Sequence, residues 1–124
     1  MADQEEILNK LAQNIGSETF IKEPLSRCLS TEGFTEFCEL CGCYWLYTDS
    51  AIMLMMDSKY KGEDFIHVKI TKTNSEAEVI YGDGNGKILY EKRYSYTDFP
   101  LQEYEFYAVR NEIGSFTFML KSEY

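Results

Sequence analysis

Three of the four cysteines fall within six residues, in Cys38-Glu39-Leu40-Cys41-Gly42-Cys43. Cys38 and Cys41 have the spacing of a zinc knuckle, and Cys28 or His67 would extend the ligand set. Structural zinc usually takes two knuckles, each on a tight turn. Here the thiols lie in a strongly periodic helical stretch, where 38 and 41 share a face and 43 points away. Packing as small buried hydrophobes accounts for Cys38 and Cys41 without a metal. They are weak metal candidates, and no metal or cofactor is expected. A redox pair of the same spacing would need a strand and turn before Cys38, and the sequence reads otherwise there.

The oxygen-bearing candidates lie further on. Asp83-Gly84-Asn85-Gly86 resembles half a calcium loop. With Gly86 at the required glycine, Tyr81 would fall at the first ligand position and Lys92 at the last, and neither suits calcium. The segment also lacks the lysine and following helix of a phosphate-binding loop. It reads as a hairpin turn, with Asp83 and Asn85 as exposed polar groups able to bind. Tyr96 and Asp98 form a second such pair. Asp98 is expected to bond its own backbone within the turn Thr97-Asp98-Phe99-Pro100, with Phe99 anchoring that turn in the core.

His67 is the only histidine. Alternation puts it on the solvent side of a strand. A dyad with Cys28, Cys41 or Cys43 would be a nucleophile pair, but nothing in the sequence fixes one. Tyr90, Tyr94, Tyr96, Tyr104 and Tyr107 could stack nucleic-acid bases. Glu91, Glu103 and Glu105 oppose that, and cross-strand packing explains the tyrosines equally well.

These residues need elements to position them. Residues 3–15 predict a short helix capped by Asp3, with Ile7, Leu8, Leu11 and Ile15 on one face and Gly16 as its stop. Residues 16–30 predict a loop, since Pro24 forbids a long helix interior. From Thr31 to about Asp57, apolar residues recur every three or four positions (Phe34, Phe37, Cys38, Cys41, Tyr44, Trp45, Thr48, Ile52, Met55). That predicts one central buried helix, capped by Thr31 or Ser30 and open to a kink near Gly42. After Asp64 the period becomes two. Ile66, Val68 and Ile70 form one run, Ala77, Val79 and Tyr81 the next. Ile88 to Tyr94, Tyr104 to Ala108 and Phe116 to Leu120 complete about five antiparallel strands. The expected fold class is α+β, with N-terminal helices on one face of the sheet.

At 124 residues the chain fits a single domain spanning 1–124. Acids outnumber bases 21 to 12, a formal net charge of −9. Phosphate-backbone binding needs clustered Lys and Arg, so direct nucleic-acid binding is not expected. An acidic surface does suit a basic protein partner. The N-terminal residues are acidic and polar, unlike a secretory leader. The apolar run from Cys43 to Met56 is too short to span a bilayer. A cytoplasmic protein with reduced thiols and no membrane contact is expected.

Four blocks occur in order: Leu29-Ser30-Thr31-Glu32-Gly33, Tyr44-Trp45-Leu46, Gly82-Asp83-Gly84-Asn85-Gly86, and Tyr96-Thr97-Asp98-Phe99-Pro100-Leu101 with a closing Ser122-Glu123-Tyr124. Together they resemble a family of small bacterial and phage proteins defined only as a domain of unknown function. The resemblance covers roughly residues 17–124. The chain departs from the pattern at Lys121, where a proline is usual, and at its helical cysteines, where alanine or lysine is usual. The resemblance implies a phage or mobile-element context and supplies no catalytic residues.

The expected function is therefore a non-enzymatic, acidic protein-interaction module. By resemblance it would be encoded on a phage or mobile element. It would act on a basic host protein, in defence or in nucleic-acid binding. One alternative is a small-ligand module or enzyme with a pocket between helix and sheet, lined by tyrosines and Asp98. Another is a zinc protein using Cys38 and Cys41.

Overall fold

A computed structural model of the chain describes residues 4–13, 20–22 and 26–124. Its elements run α1 (Gln4–Leu11), β1 (Phe20–Lys22), β2 (Leu29–Thr31), α2 (Glu32–Cys41), α3 (Tyr44–Met56), β3 (Phe65–Thr73), β4 (Glu76–Gly82), β5 (Ile88–Tyr94), β6 (Glu103–Arg110) and β7 (Phe116–Leu120). This is an α+β fold with three α-helices and one mixed sheet among the described residues. The strand order is β1-β2-β7-β6-β3-β4-β5.

The five strands expected after Asp64 correspond to β3–β7, and each pairs antiparallel with its neighbours. The sheet is larger than expected because residues 16–30 add two strands. β1 pairs antiparallel with β2, and β2 pairs parallel with β7. Each is three residues long, too short for a period of two to register. Asp3, Ile15, Gly16 and Pro24 lie outside the described residues. In α1, Ile7 and Leu11 are buried while Leu8 is exposed.

One expected helix is two. Thr31 caps α2 as its side chain accepts from Phe34 N at 3.1 Å. Gly42 then takes a left-handed conformation, φ 61°, and Cys43 N donates to Cys38 O at 3.0 Å. That pairing is a Schellman stop, so the glycine ends the helix instead of kinking it. α3 restarts at Tyr44.

Both helices cover one face of the sheet. That face contributes Ile66, Val68 and Ile70 from β3, Val79 and Tyr81 from β4, Phe106 and Ala108 from β6, and Phe118 and Leu120 from β7, all buried. Phe34 of α2 meets Phe106 at 4.8 Å and both Phe118 and Tyr47 at 5.4 Å between ring centroids. Ser50 and the Tyr81 hydroxyl, two buried polar groups in this layer, satisfy each other at 2.7 Å.

Arg110 ties the far end together. Its guanidinium donates to the carbonyls of Tyr60, Glu63 and Gly114 and lies over the Phe116 ring. No helix among the described residues is long and apolar enough to cross a membrane.

Candidate functional site

The second face of the sheet carries no α-helix among the described residues. Register places Phe65, His67, Lys69 and Thr71 of β3 opposite Val109, Tyr107, Glu105 and Glu103 of β6 on this open side. At one end the 83–87 loop walls it. The Asp83 carboxylate accepts from Asn85 N at 2.8 Å and Lys87 N at 3.2 Å, which fixes the turn as the sequence suggested. Gly84, φ 83°, lies flat on Phe65, and a Cβ there would fall 2.8 Å from that ring. Loop and strands enclose a groove of about 390 Å³ lined by Phe65, His67, Lys69, Ile80, Ile88 and Tyr107, among others.

The most polar feature of the groove is His67 Nε2, 2.7 Å from Glu105 Oε1. Lys121 Nζ approaches the other oxygen of the same carboxylate at 3.5 Å. Burial alone would raise the Glu105 pKa; the hydrogen bond with His67 and the charge of Lys121 outweigh it and lower the pKa. A carboxylate orienting a histidine is half of a nucleophile-activating set. The thiols that might complete it lie in the core beneath the helices. His67 bonds Glu105 on the open face while Cys28, Cys41 and Cys43 are buried in the core, so none of the expected Cys–His dyads forms.

All four cysteines are buried and reduced. Cys38 and Cys41 share the inner face of α2 as expected. Cys43 does not point away: the left-handed Gly42 turns the chain back, and its fully buried thiol donates to Phe37 O at 4.0 Å. The neighbouring Cys38 and Cys41 thiols, together with burial, push the Cys43 thiol far up and hold it protonated. Among the described residues no group of three or more His, Cys, Asp or Glu is arranged to hold a metal ion.

Tyr96 and Asp98 sit at the opposite end of β4 and β5 from Asp83 and Asn85. Seven residues of strand separate them, roughly 20 Å. The structure thus divides the four sequence candidates into two distant pairs. Asp98 does not stabilise its turn and is without a hydrogen-bond partner among the described residues. Thr97 takes that role: its N–H reaches Ser75 O at 2.7 Å and its hydroxyl accepts from Phe99 N at 3.1 Å. Phe99 is fully buried, as expected, and Tyr96 is 76% exposed. The space between helices and sheet, the expected pocket, is filled by Phe34, Phe37, Tyr47, Tyr81 and Phe106.

The sequence reading missed Glu123. Its carboxylate accepts from the Thr31 hydroxyl at 2.6 Å, from Gly33 N at 3.3 Å and from Leu120 N at 3.1 Å. It thus sits at the positive end of α2. A Cβ at Gly33 would come within 2.5 Å of the Glu123 carboxylate, so a larger residue there would displace that carboxylate from its present position. The Ser-Thr-Glu-Gly and Ser-Glu-Tyr blocks are two halves of one contact. Tyr124 is 73% exposed yet meets Phe65 and Tyr107 edge-on, beside the groove.

The outer surface of the helical layer is different again. From residue 28 to residue 58 there are five acids (Glu32, Glu36, Glu39, Asp49, Asp57) and no Lys or Arg. Glu32, Glu36 and Glu39 follow one another at helical spacing along a single side of α2, and Glu32 and Glu39 are exposed. Tyr44 and Met56 expose large apolar surface in the same layer, 47% and 71%.

A family model, the family of unknown function DUF6876, matches residues 5–124, and the chain belongs to that family. The match reaches into α1, upstream of the blocks that suggested the kinship. Neither the curated proteins nor the solved structures provide a match.

Proposed function

We propose that this member of the family is a non-enzymatic interaction module whose helical layer docks a basic protein segment. The observation that carries it is the run of five acids without a base across α2 and α3. A surface field of one sign steers association with an opposite charge. Tyr44 and Met56 supply apolar anchors, and aromatic and methionine side chains are favoured at interfaces. The mobile-element context implied by the resemblance suits a host protein as partner, one that otherwise holds nucleic acid or acts in defence.

The test is titration with a basic peptide that interleaves Lys and Arg with apolar residues, against the same peptide made neutral. Binding should weaken steeply with salt and fall at least tenfold in the triple variant E32Q/E36Q/E39Q, as expected when several charge pairs are lost. Equal affinity of the triple variant, or no preference for the basic peptide, would remove the helical layer from consideration.

A second reading rests on the open-face groove. Its volume of about 390 Å³ lies within the range of small-molecule sites, and His67 and Lys69 offer polar contacts. Stabilisation in a thermal-shift screen of metabolites, lost in Tyr107→Ala, would favour this reading.

A further inference from the structure

The sheet ends on two unequal edges. β1 is three residues long, whereas β5 is a seven-residue strand with no neighbour beyond it among the described residues. The direction of its backbone groups follows from bonds elsewhere in the sheet. Lys72 N bonds Gln102 O, and Arg110 N bonds Asp64 O. Even-numbered residues of β3 therefore point to β6, and odd-numbered ones to β4. Carried through the registers of β3–β4 and β4–β5, this alternation directs Tyr90, Lys92 and Tyr94 inward to β4. Leu89, Glu91 and Arg93 point their N–H and C=O groups out of the sheet. The Leu89 carbonyl agrees, since it accepts from Lys59 Nζ at 3.2 Å outside the ladder. Such an edge is a template for another strand.

We propose that β5 pairs antiparallel with β5 of a second copy of this chain, in a register centred on Lys92. That register sets Glu91 opposite Arg93 of the second copy, and Arg93 opposite its Glu91. Both are outward-pointing positions, so each pair exchanges two backbone hydrogen bonds. The same register sets Tyr90 opposite Tyr94, an aromatic cross-strand pair of the kind that stabilises sheets. Centring on Glu91 instead would oppose two glutamates, and centring on Arg93 two arginines.

The cost of the chosen register is Lys92 against Lys92. Each lysine already has Asp49 Oδ2 at 3.5 Å on its own α3, which offsets the repulsion. Arg93 retains room for a second carboxylate: its Nε is held by Glu78 at 3.2 Å while 85% of its side chain is exposed. The exposed Ile88 and Tyr96 flank the seam one step beyond the paired residues. The two sheets become continuous, with both helical layers on the same side.

Sedimentation equilibrium and native mass spectrometry of the full chain test this directly. A concentration-dependent dimer is expected. Arg93→Glu would place like charges opposite each other twice, as would Glu91→Arg, and each should weaken the dimer about tenfold or more. The double variant E91R/R93E restores opposite charges in the same register and should recover it. Circular dichroism and thermal melting confirm that each variant remains folded. A wild-type protein that stays monomeric to its solubility limit overturns the proposal. A dimer indifferent to both single reversals, or one that the double variant fails to recover, overturns it equally.

Discussion

Phe106 and Tyr107 are neighbours on β6, yet they belong to different environments. Phe106 lies on the helix-facing side, buried among Phe34, Phe37 and Phe118. Tyr107 lies on the open side, half-buried, against Phe65, His67 and Tyr124. The inner side is apolar apart from satisfied pairs such as Ser50–Tyr81. The open side pairs acids with bases: His67 and Lys121 with Glu105, Lys69 with Glu103, Arg93 with Glu78. Each of these pairs is partly solvated, so each contributes little to stability, about 0–1 kcal/mol. They offset three of the five acids that alternation puts on this face, Glu76 and Glu91 being the other two. The stretch over α2 and α3 carries five acids and no base of its own. The contrast teaches that a formal charge of −9 describes the whole molecule poorly. One side mixes both signs around a groove, and another carries acids alone.

Substitution on the two sides of β6 should break the comparison most visibly. Phe106→Ala leaves a cavity in a closed core and should cost about 3–5 kcal/mol in denaturant unfolding. Tyr107→Ala should cost well under half of that, because solvent and Tyr124 can fill the space. Equal costs would show the open face to be buried in solution.

Alkaline titration gives the next largest effect. Burial, then the charge of Asp57, pushes Tyr60 up to about 12. Burial likewise raises Tyr81, Tyr94 and Tyr104. In the unfolded chain these hydroxyls ionise near ~10. The folded form therefore holds more protons above that pH, and stability should be complete below pH ~10 and fall as the pH rises beyond it. Tyr60 contributes one part of this loss. Urea midpoints measured across that window should fall, and less steeply in Tyr60→Phe.

Removing the α2 latch ranks third. Glu123→Ala frees the Thr31 hydroxyl and the N–H groups of Gly33 and Leu120, and should cost about 1–2 kcal/mol, as loss of a helix cap does. Glu123→Gln should retain part of it, since the amide oxygen still accepts. The smallest effect is expected on the open face, where His67→Gln should change stability by about 0–1 kcal/mol. A larger loss would mark the His67–Glu105 pair as structural.

Much of this fold was legible in the residues. Val68 and Val79 announce their strands by strict alternation, Thr31 announces a helix start, and Phe99 its anchoring turn. All of these are local signals. β1 and β2 were not legible, because three residues carry too little pattern and the parallel pairing with β7 depends on distant chain. Gly42 was read as a kink because the apolar period resumes in phase beyond it. The position of Cys43 followed from that error. Of the candidate site, the Asp83 turn was legible since its bonds reach only two and four residues along. The groove was not, because β3, β4, β5 and β6 must first be laid side by side. Glu123 was invisible for the same reason, as its partners on α2 lie 90 and 92 residues away.

That last separation bears on how the molecule is made. A ribosome releases the start of α2 long before it synthesises the carboxylate that secures it, or the strand β7 that runs beside β2. In the interval the emerging helix has a Thr31 cap, a β2 that still lacks β7 beside it and no floor beneath its phenylalanines. Contacts so distant in the chain slow folding, and a nascent chain in that state exposes Phe34 and Phe37 to chaperones. Gly33, by leaving a place for Glu123, makes completion of the sheet and locking of the first long helix a single late event. A nascent chain arrested between β6 and Glu123 should therefore be sensitive to proteolysis around α2, and release should abolish that sensitivity.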